Sequence, residues 1–415
     1  MGQTFAEKVL SKMVGREVHT GDFVEVYPHF CLSDDNVADV IRMFKENGFS
    51  KLYDPRRIVI VLDHAVPAPT EIQALAHKET RQFVAEYGLP YFFDMNSDGG
   101  ICHQLMCQNG FALPGTVIVG SDSHTCTEGA LGAFAVGIGR TEATAVWVTG
   151  KIWMIVPRSF RVEISGSFLK GVFAKDLILR IIGDMGSAGA DYASVEFHGT
   201  ENLSIAERMT LCNMGIEMGA KNAVCRPDKT VMDFITEPKR DDWEPLWADE
   251  DAHYDATCFY KLENIVPALA LPHEVDNFAP VEEHSGRKID QAFIGTCTNS
   301  RIEDLRICAH ILRERRVRSR TIIVPASWKV YRDAMNEGLI AAFLDAGCVV
   351  GMPGCGPCMG IHGGVLAAGE VCISTANRNF AGRMGNLESA VYLASPATVA
   401  WSAVCGEIRD PREVF

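Results

Sequence analysis

Three cysteines stand out by their neighbours. Cys355 and Cys358 lie two residues apart in GCGPCMG, and Cys297 lies in GTCTNS. Gly295, Gly354, Gly356 and Gly360 beside them allow backbone to approach a bound group closely. Three chemistries compete for such a set. One is a [4Fe–4S] cluster held by three thiolates, with one iron left open as a Lewis acid for a substrate hydroxyl. Another is zinc bound by the thiolates and His362. The third is a redox dithiol, since Cys-Gly-Pro-Cys is also a thioredoxin-type tetrapeptide. A dithiol has no use for a third cysteine, and structural zinc has none for histidines and acids in other loops. This chain carries such an array: Asp63-His64, His103, Asp122, His124 and Glu217. A carboxylate beside an imidazole raises its pKa and fixes its tautomer, which suits it to protonate a leaving group as poor as hydroxide. Asn377-Arg378 and Arg383 add planar donor forks that match the carboxylates of a di- or tricarboxylic acid. Together these residues favour the open cluster.

The elements that must position these groups read as layered α/β. Short apolar runs bounded by Gly, Pro or polar residues predict buried parallel strands at 58–62, 115–120, 291–295, 321–324, 348–351 and 371–374. Helical stretches at 70–87, 303–316 and 327–346 alternate with them. The strand at 58–62 runs into DHAVP, and those at 115–120, 291–295, 348–351 and 371–374 run into SDSHTCTEG, TCTNS, PGCGPC and TANRNF. Loops beyond the carboxyl ends of parallel strands are where ligands bind in open α/β sheets, so these five segments are expected to face one cleft. The segment 238–280 is acidic and aromatic without a clear period and reads as an extended connection ahead of a C-terminal α/β domain. Gly132, Gly137 and Gly139 imitate a dinucleotide fingerprint, but Glu142 stands where its third glycine belongs, so they read as helix-packing glycines.

Composition narrows the function classes. The chain has 415 residues, 47% hydrophobic and 22% charged, with a net charge of −14, which is ordinary for a globular protein of two or three domains. That charge opposes binding to a phosphate backbone, and the basic run 313–320 reads as the exposed end of a helix. No apolar stretch approaches the roughly 20 residues of a membrane span, and the N-terminus mixes charges where a signal peptide needs an apolar core. A cytoplasmic protein with its 14 cysteines reduced is the expectation.

The motifs DHAVP, GGICHQ, GSDSHTCTEGALGAFAVGIG, CNMGIE, IGTCTNSRIEDLR, PGCGPCMG and STANRNFAGRMG, in this order, resemble the aconitase superfamily. The likeness is greatest to the large subunits of its two-subunit members, the isopropylmalate dehydratases and homoaconitases. It implies a three-domain α/β chain, divided at 1–155, 156–280 and 281–415, without the swivelling fourth domain of single-chain members. It implies one [4Fe–4S] cluster per subunit on Cys297, Cys355 and Cys358, supported by Asn213, Asn299 and Asn377. His64 with Asp63 would protonate the departing hydroxyl, and His103 with Asp122 and His124 with Glu217 would orient substrate and water. Ser123, Arg378 and Arg383 would contact the substrate. The missing domain implies a small-subunit partner that supplies the proton-abstracting base and most of the side-chain pocket. The expected reaction is dehydration and rehydration of a 2-hydroxy acid: 2-isopropylmalate first, then a homoaconitase substrate, then a methylated malate such as 2,3-dimethylmalate. Two rival classes make distinct predictions: a CGPC thiol–disulfide oxidoreductase would be colourless and reduce insulin, and an RNA-binding protein would bind RNA when iron is removed. One segment departs from the pattern. Where many relatives carry His-Asp or Gln-Asp followed by Thr, this chain reads Ser33-Asp34-Asp35-Asn36.

Overall fold

The structure, a computed structural model, describes residues 2–96 and 98–415. Its strands sort into three large sheets and one ribbon. The first sheet is wholly parallel, in the order Tyr91–Phe93, Ile58–Val61, Phe30–Ser33, Val117–Gly120, Phe134–Gly137. Phe30–Ser33, Ile58–Val61 and Val117–Gly120 are buried at every residue, as strands covered on both faces must be. The second sheet is also parallel, in the order Asn222–Cys225, Ser194–His198, Ser159–Ser165, Ala256–Lys261. The third has seven strands, running Phe278–Pro280, Ala268–Ala270, Ala390–Ala394, Val371–Ser374, Gln291–Ile294, Arg320–Ile323, Val349–Val350. Its first two strands are antiparallel additions to an otherwise parallel sheet. Phe23–Val26 and Ile152–Ile155 form the antiparallel ribbon.

Each sequence-predicted strand is present, though several are shorter, and 348–351 contracts to Val349–Val350. Thr70 caps the helix Glu71–Tyr87 by accepting from the Gln73 amide, and Gly88 ends it at φ +65°. The stretch 327–346 is two helices, Trp328–Asn336 and Leu339–Ala346, because Gly338 takes φ +74° between them. The basic run is not a helix end: the helix Ile302–Leu312 stops before Arg313, and the run leads through a loop into Arg320–Ile323. Nor is 238–280 all extended connection, since Ala256–Lys261 closes the edge of the second sheet while Ala268–Ala270 and Phe278–Pro280 join the third.

A 3-10 stretch, Ser123–Leu131, runs from the end of a first-sheet strand and packs on Ile205–Asn213 and Asn222–Cys225 of the second layer. Packing is closest at Gly129, where an added Cβ would overlap the Ala223 carbonyl oxygen. Gly129→Ala is therefore expected to destabilise the chain by roughly 2–3 kcal/mol. Gly88→Ala, at an open left-handed helix end, should lose about 1 kcal/mol. Urea denaturation of both variants checks the ranking, and equal midpoints would contradict it.

Candidate active site

The carboxyl ends of first- and third-sheet strands meet around a cavity of about 850 Å³, lined by Asp34, His64, His103, Asp122, Ser123, His124, Cys297, Cys355, Cys358, Asn377, Arg378 and Arg383, among others. All five polar loops singled out by the sequence contribute to it.

His64 is the most heavily surrounded group. Its Nδ1 lies 2.7 Å from Asp63 Oδ1 and 3.5 Å from Asp34 Oδ2, and its Nε2 lies 3.8 Å from Asp122 Oδ2. Burial alone would lower the His64 pKa, but Asp63, Asp34 and Asp122 outweigh it and raise the pKa well above the usual value. Asp63 is fixed in turn, its Oδ2 accepting the Cys102 amide at 2.8 Å. His103 lies between two carboxylates, with Nε2 2.8 Å from Asp122 Oδ1 and Nδ1 3.1 Å from Glu128 Oε1. His124 Nε2 is 2.8 Å from Glu217 Oε1, and Arg378 Nε donates to the same Glu217 oxygen at 2.8 Å. Burial would raise the Glu217 pKa, yet His124 and Arg378 hold it below the ordinary carboxylate range. Ser123 Oγ is 3.4 Å from His124 Nδ1.

The thiols come from loops shaped by unusual backbone. Thr296 (φ +78°) and Ser300 (φ +111°) flank the Cys297 turn, a left-handed conformation costly for residues with a Cβ. Arg301 secures the turn by donating to Thr298 O at 2.6 Å and Cys297 O at 2.7 Å. Asn377 Nδ2 donates to Cys297 Sγ at 3.2 Å, and Arg383 Nη2 to Cys358 Sγ at 3.3 Å. Asn213 supports the first of these contacts, since its Oδ1 accepts from Thr298 Oγ1 at 2.7 Å and from Asn377 at 3.4 Å. Asn299 is placed elsewhere: its Nδ2 binds Thr210 Oγ1 and Asp304 Oδ1, and it lines a separate cavity of about 220 Å³.

The donor set fits a cluster better than a single ion. Among the described residues, the triads of ligand atoms lying within 4.8 Å of one another are Asp34–His64–Asp122 and Asp35–Asp63–His64, without a thiol. Tetrahedral zinc would need sulfurs roughly 3.8 Å apart. His362 cannot serve as a fourth zinc ligand through Nε2 without leaving the His64 carbonyl, 3.0 Å away. Cys355 and Cys358 are both buried, whereas a redox dithiol needs an accessible thiol. Asn377 Oδ1 and Arg383 Nε are buried without hydrogen-bond partners among the described residues, as expected for groups beside a bound polar species.

Sequence reasoning missed Asp35, His77 and Glu128. Asp35 Oδ2 accepts the amides of Asp63 (2.7 Å) and His64 (2.6 Å), while its Oδ1 lies 2.6 Å from His77 Nε2. The only sequence signal for Asp35 was that it falls in the departing segment 33–36. Glu128 lies in SDSHTCTEG, a segment the sequence did single out, while His77 gives no signal inside its helix.

A layered α/β chain that presents carboxylate-paired imidazoles and three thiols to one cavity is built as a hydro-lyase. The profile described as "Aconitase family (aconitate hydratase)" matches residues 7–287 and 277–406, and the chain belongs to that family. Enzymes of this family use an iron–sulfur cluster. The chain is 45% identical over 417 residues to "3-isopropylmalate dehydratase large subunit 1" of Methanopyrus kandleri, covering 99% of each chain. It is 50% identical over 376 residues to "Probable methanogen homoaconitase large subunit" of Methanosarcina mazei, covering 90% of this chain and 95% of the other. Among solved structures, holo aconitase X of Thermococcus kodakaraensis shares the fold, with TM-score 0.51 and 13% identity over 90% of this chain and 89% of that one. Among the described residues no helix is long and apolar enough to cross a membrane.

Asp35 and Asp122 are both held below the ordinary carboxylate pKa: burial opposes this, but hydrogen bonds from His77 and the His64 amide to Asp35, and from His103 and His124 to Asp122, prevail. A lowered folded-state pKa stabilises at neutral pH and loses that contribution as pH falls below about 4. Asp35→Asn is expected to lower stability at pH 7 by about 1–3 kcal/mol and to flatten the acid limb of the stability profile. Chemical denaturation at several pH values measures both effects, and an unchanged acid limb would contradict the assignment.

Proposed function

We propose that this chain is the large subunit of a 3-isopropylmalate dehydratase, interconverting 2- and 3-isopropylmalate with a [4Fe–4S] cluster on Cys297, Cys355 and Cys358. The observation that carries the reading is His64, an imidazole with carboxylates around both ring nitrogens, facing three thiols across one cavity in a chain 45% identical to a dehydratase large subunit over 99% of both lengths. The cluster, when bound, supplies an open iron that polarises the C–OH bond of the substrate. The chain's own residues do the rest. Asp63 occupies Nδ1 of His64, which leaves the Nε2 proton for delivery to the departing hydroxyl. His103 and His124, each bonded to a carboxylate, hold positions around the reacting carbon. Arg378, aligned by Glu217, and Arg383 offer forked donors to substrate carboxylates.

A small subunit completes the site by supplying the base that takes the carbon-bound proton. Relatives named as large subunits support this. So does the exposed Trp153, which lines the cavity and stacks on the exposed Phe23 at 5.4 Å. A homoaconitase large subunit is the second reading. It is favoured by the 50% identical relative and by Lys221 in the cavity wall, a further cation for an extra carboxylate. Ile216, Met359 and Ile361 in the same wall suit an isopropyl branch instead.

The deciding experiment is an anaerobic assay of the chain co-purified with its small subunit on isopropylmalates, homocitrate, citrate, citramalate and 2,3-dimethylmalate. Preference for isopropylmalate is expected, homocitrate would select the second reading, and no turnover with an intact cluster would overturn both. The chain alone should be inactive. In the two-subunit enzyme, His64→Gln should lower kcat by roughly 10²–10⁴-fold with little change in KM. Cys358→Ser should abolish the brown colour of the anaerobically purified protein, and a Cys358→Ser protein with full iron and sulfide content would contradict the ligand assignment.

A further inference from the structure

Lys175 is fully buried in the first turn of the helix Ala174–Met185. That position is costly for an ammonium in three ways. It is removed from water, it lies at the positive end of a helix dipole, and among the described residues its hydrogen-bond acceptors are carbonyls rather than carboxylates. Its Nζ donates to two carbonyls, Thr375 O at 2.8 Å and Ala376 O at 2.7 Å. These carbonyls belong to the loop that continues into Asn377, whose side chain donates to Cys297 Sγ, and into Arg378. Thr375 is also joined to Gly295 through its hydroxyl, so the two loops flanking Cys297 share one anchor. Burial pulls the Lys175 pKa down to about 7, and the strongest opposing field is that of Cys297, followed by Asp304, Asp176 and Glu217. Asp304 is itself committed to the Cys297 turn, accepting the Ser300 amide at 2.8 Å and the Arg301 amide at 3.1 Å.

We infer that Lys175 is a positioning residue for the iron–sulfur cluster: its buried charge balances the thiolate set, and its two hydrogen bonds fix the loop that presents Asn377 and Arg378. The inference rests on the reading of Cys297, Cys355 and Cys358 as cluster ligands. Three thiolates bring net negative charge into a buried site, and that charge favours the protonated form of Lys175, which stands against the Thr375 and Ala376 carbonyls of the loop that donates to Cys297 Sγ. Such a cation raises the reduction potential of a cluster and slows its loss.

The test compares the full-length wild type, Lys175→Met and Lys175→Gln after anaerobic reconstitution with iron and sulfide. Three properties are measured: the rate of iron loss to a chelator, the midpoint potential by EPR-monitored titration, and the thermal midpoint of the cluster-free chain. Glutamine keeps a hydrogen-bond donor and lacks the charge. Both variants are expected to lose iron about tenfold faster and to show a more negative potential. The thermal midpoint of the cluster-free chain is expected to fall in Lys175→Met, which leaves the Thr375 and Ala376 carbonyls without this donor, and to fall less in Lys175→Gln, which keeps a donor. Iron retention and potential equal to wild type in both variants would overturn the inference. So would wild-type behaviour of Lys175→Gln beside a defective Lys175→Met, which would reduce the role to hydrogen bonding. If Lys175→Met does not fold, Lys175→Gln alone decides by the same two readouts. A wild-type chain that takes up no iron and sulfide would overturn the ligand reading itself, a result separate from any difference between variants.

Discussion

One main-chain hydrogen bond joins the two halves of the chemistry: the Cys355 amide donates to the Asp63 carbonyl at 2.8 Å. Asp63 follows a strand of the first sheet and Cys355 follows a strand of the third, so this contact sets the distance between the imidazole of His64 and the thiols. The approach requires glycine at 354, where φ is +152° and a Cβ would lie 2.9 Å from the Asp63 oxygen. The next residue along is held too, since the His64 carbonyl meets the ring of His362. Proton transfer and substrate orientation are sensitive to displacements of an ångström, and backbone contacts hold such distances more firmly than flexible side chains do.

Around that junction the electrostatics are graded. Asp63, Asp34 and Asp122 surround His64, while Glu217 is neutralised by Arg378. Burial, with Asp122 and Asp63, pushes the Asp34 pKa up to about 7 although His64 pulls the other way. Carboxylates of one cavity thus differ in their hold on a proton according to whether a cation or an amide faces them.

The sequence made four strands of the third sheet legible as short apolar runs followed by loops of unmistakable composition, but of the first sheet only Ile58–Val61 and Val117–Gly120; its central strand Phe30–Ser33, FCLS, carries no β-branched residue and gave no such run. The second sheet was hidden. Ser194–His198 carries Glu196 at a fully buried position, hydrogen-bonded by partners distant in sequence, the Phe5 amide at 2.8 Å and the Tyr254 hydroxyl at 2.7 Å. Nothing local announces such a strand. The same reason hid Asp35 and His77, which lie 42 positions apart and acquire meaning only through their contact. Cys297, Cys355 and Cys358 were the opposite case: their spacing and flanking glycines marked them without tertiary information. Asn299 shows the limit of motif reading, since adjacency to Cys297 in TCTNS did not bring its side chain to a thiol.

The cavity also bears on the order of events in the cell. Its groups come from positions as far apart as Asp34 and Arg383 and meet only when first- and third-sheet strand ends dock. Contacts of such long sequence separation form late in folding. During synthesis Cys297 emerges before the Cys355–Cys358 pair, and the three thiols have no common site until the C-terminal sheet has closed. The cavity is therefore complete only in the folded chain, when docking of the two sheets brings the Cys355–Cys358 pair to Cys297 and to His64.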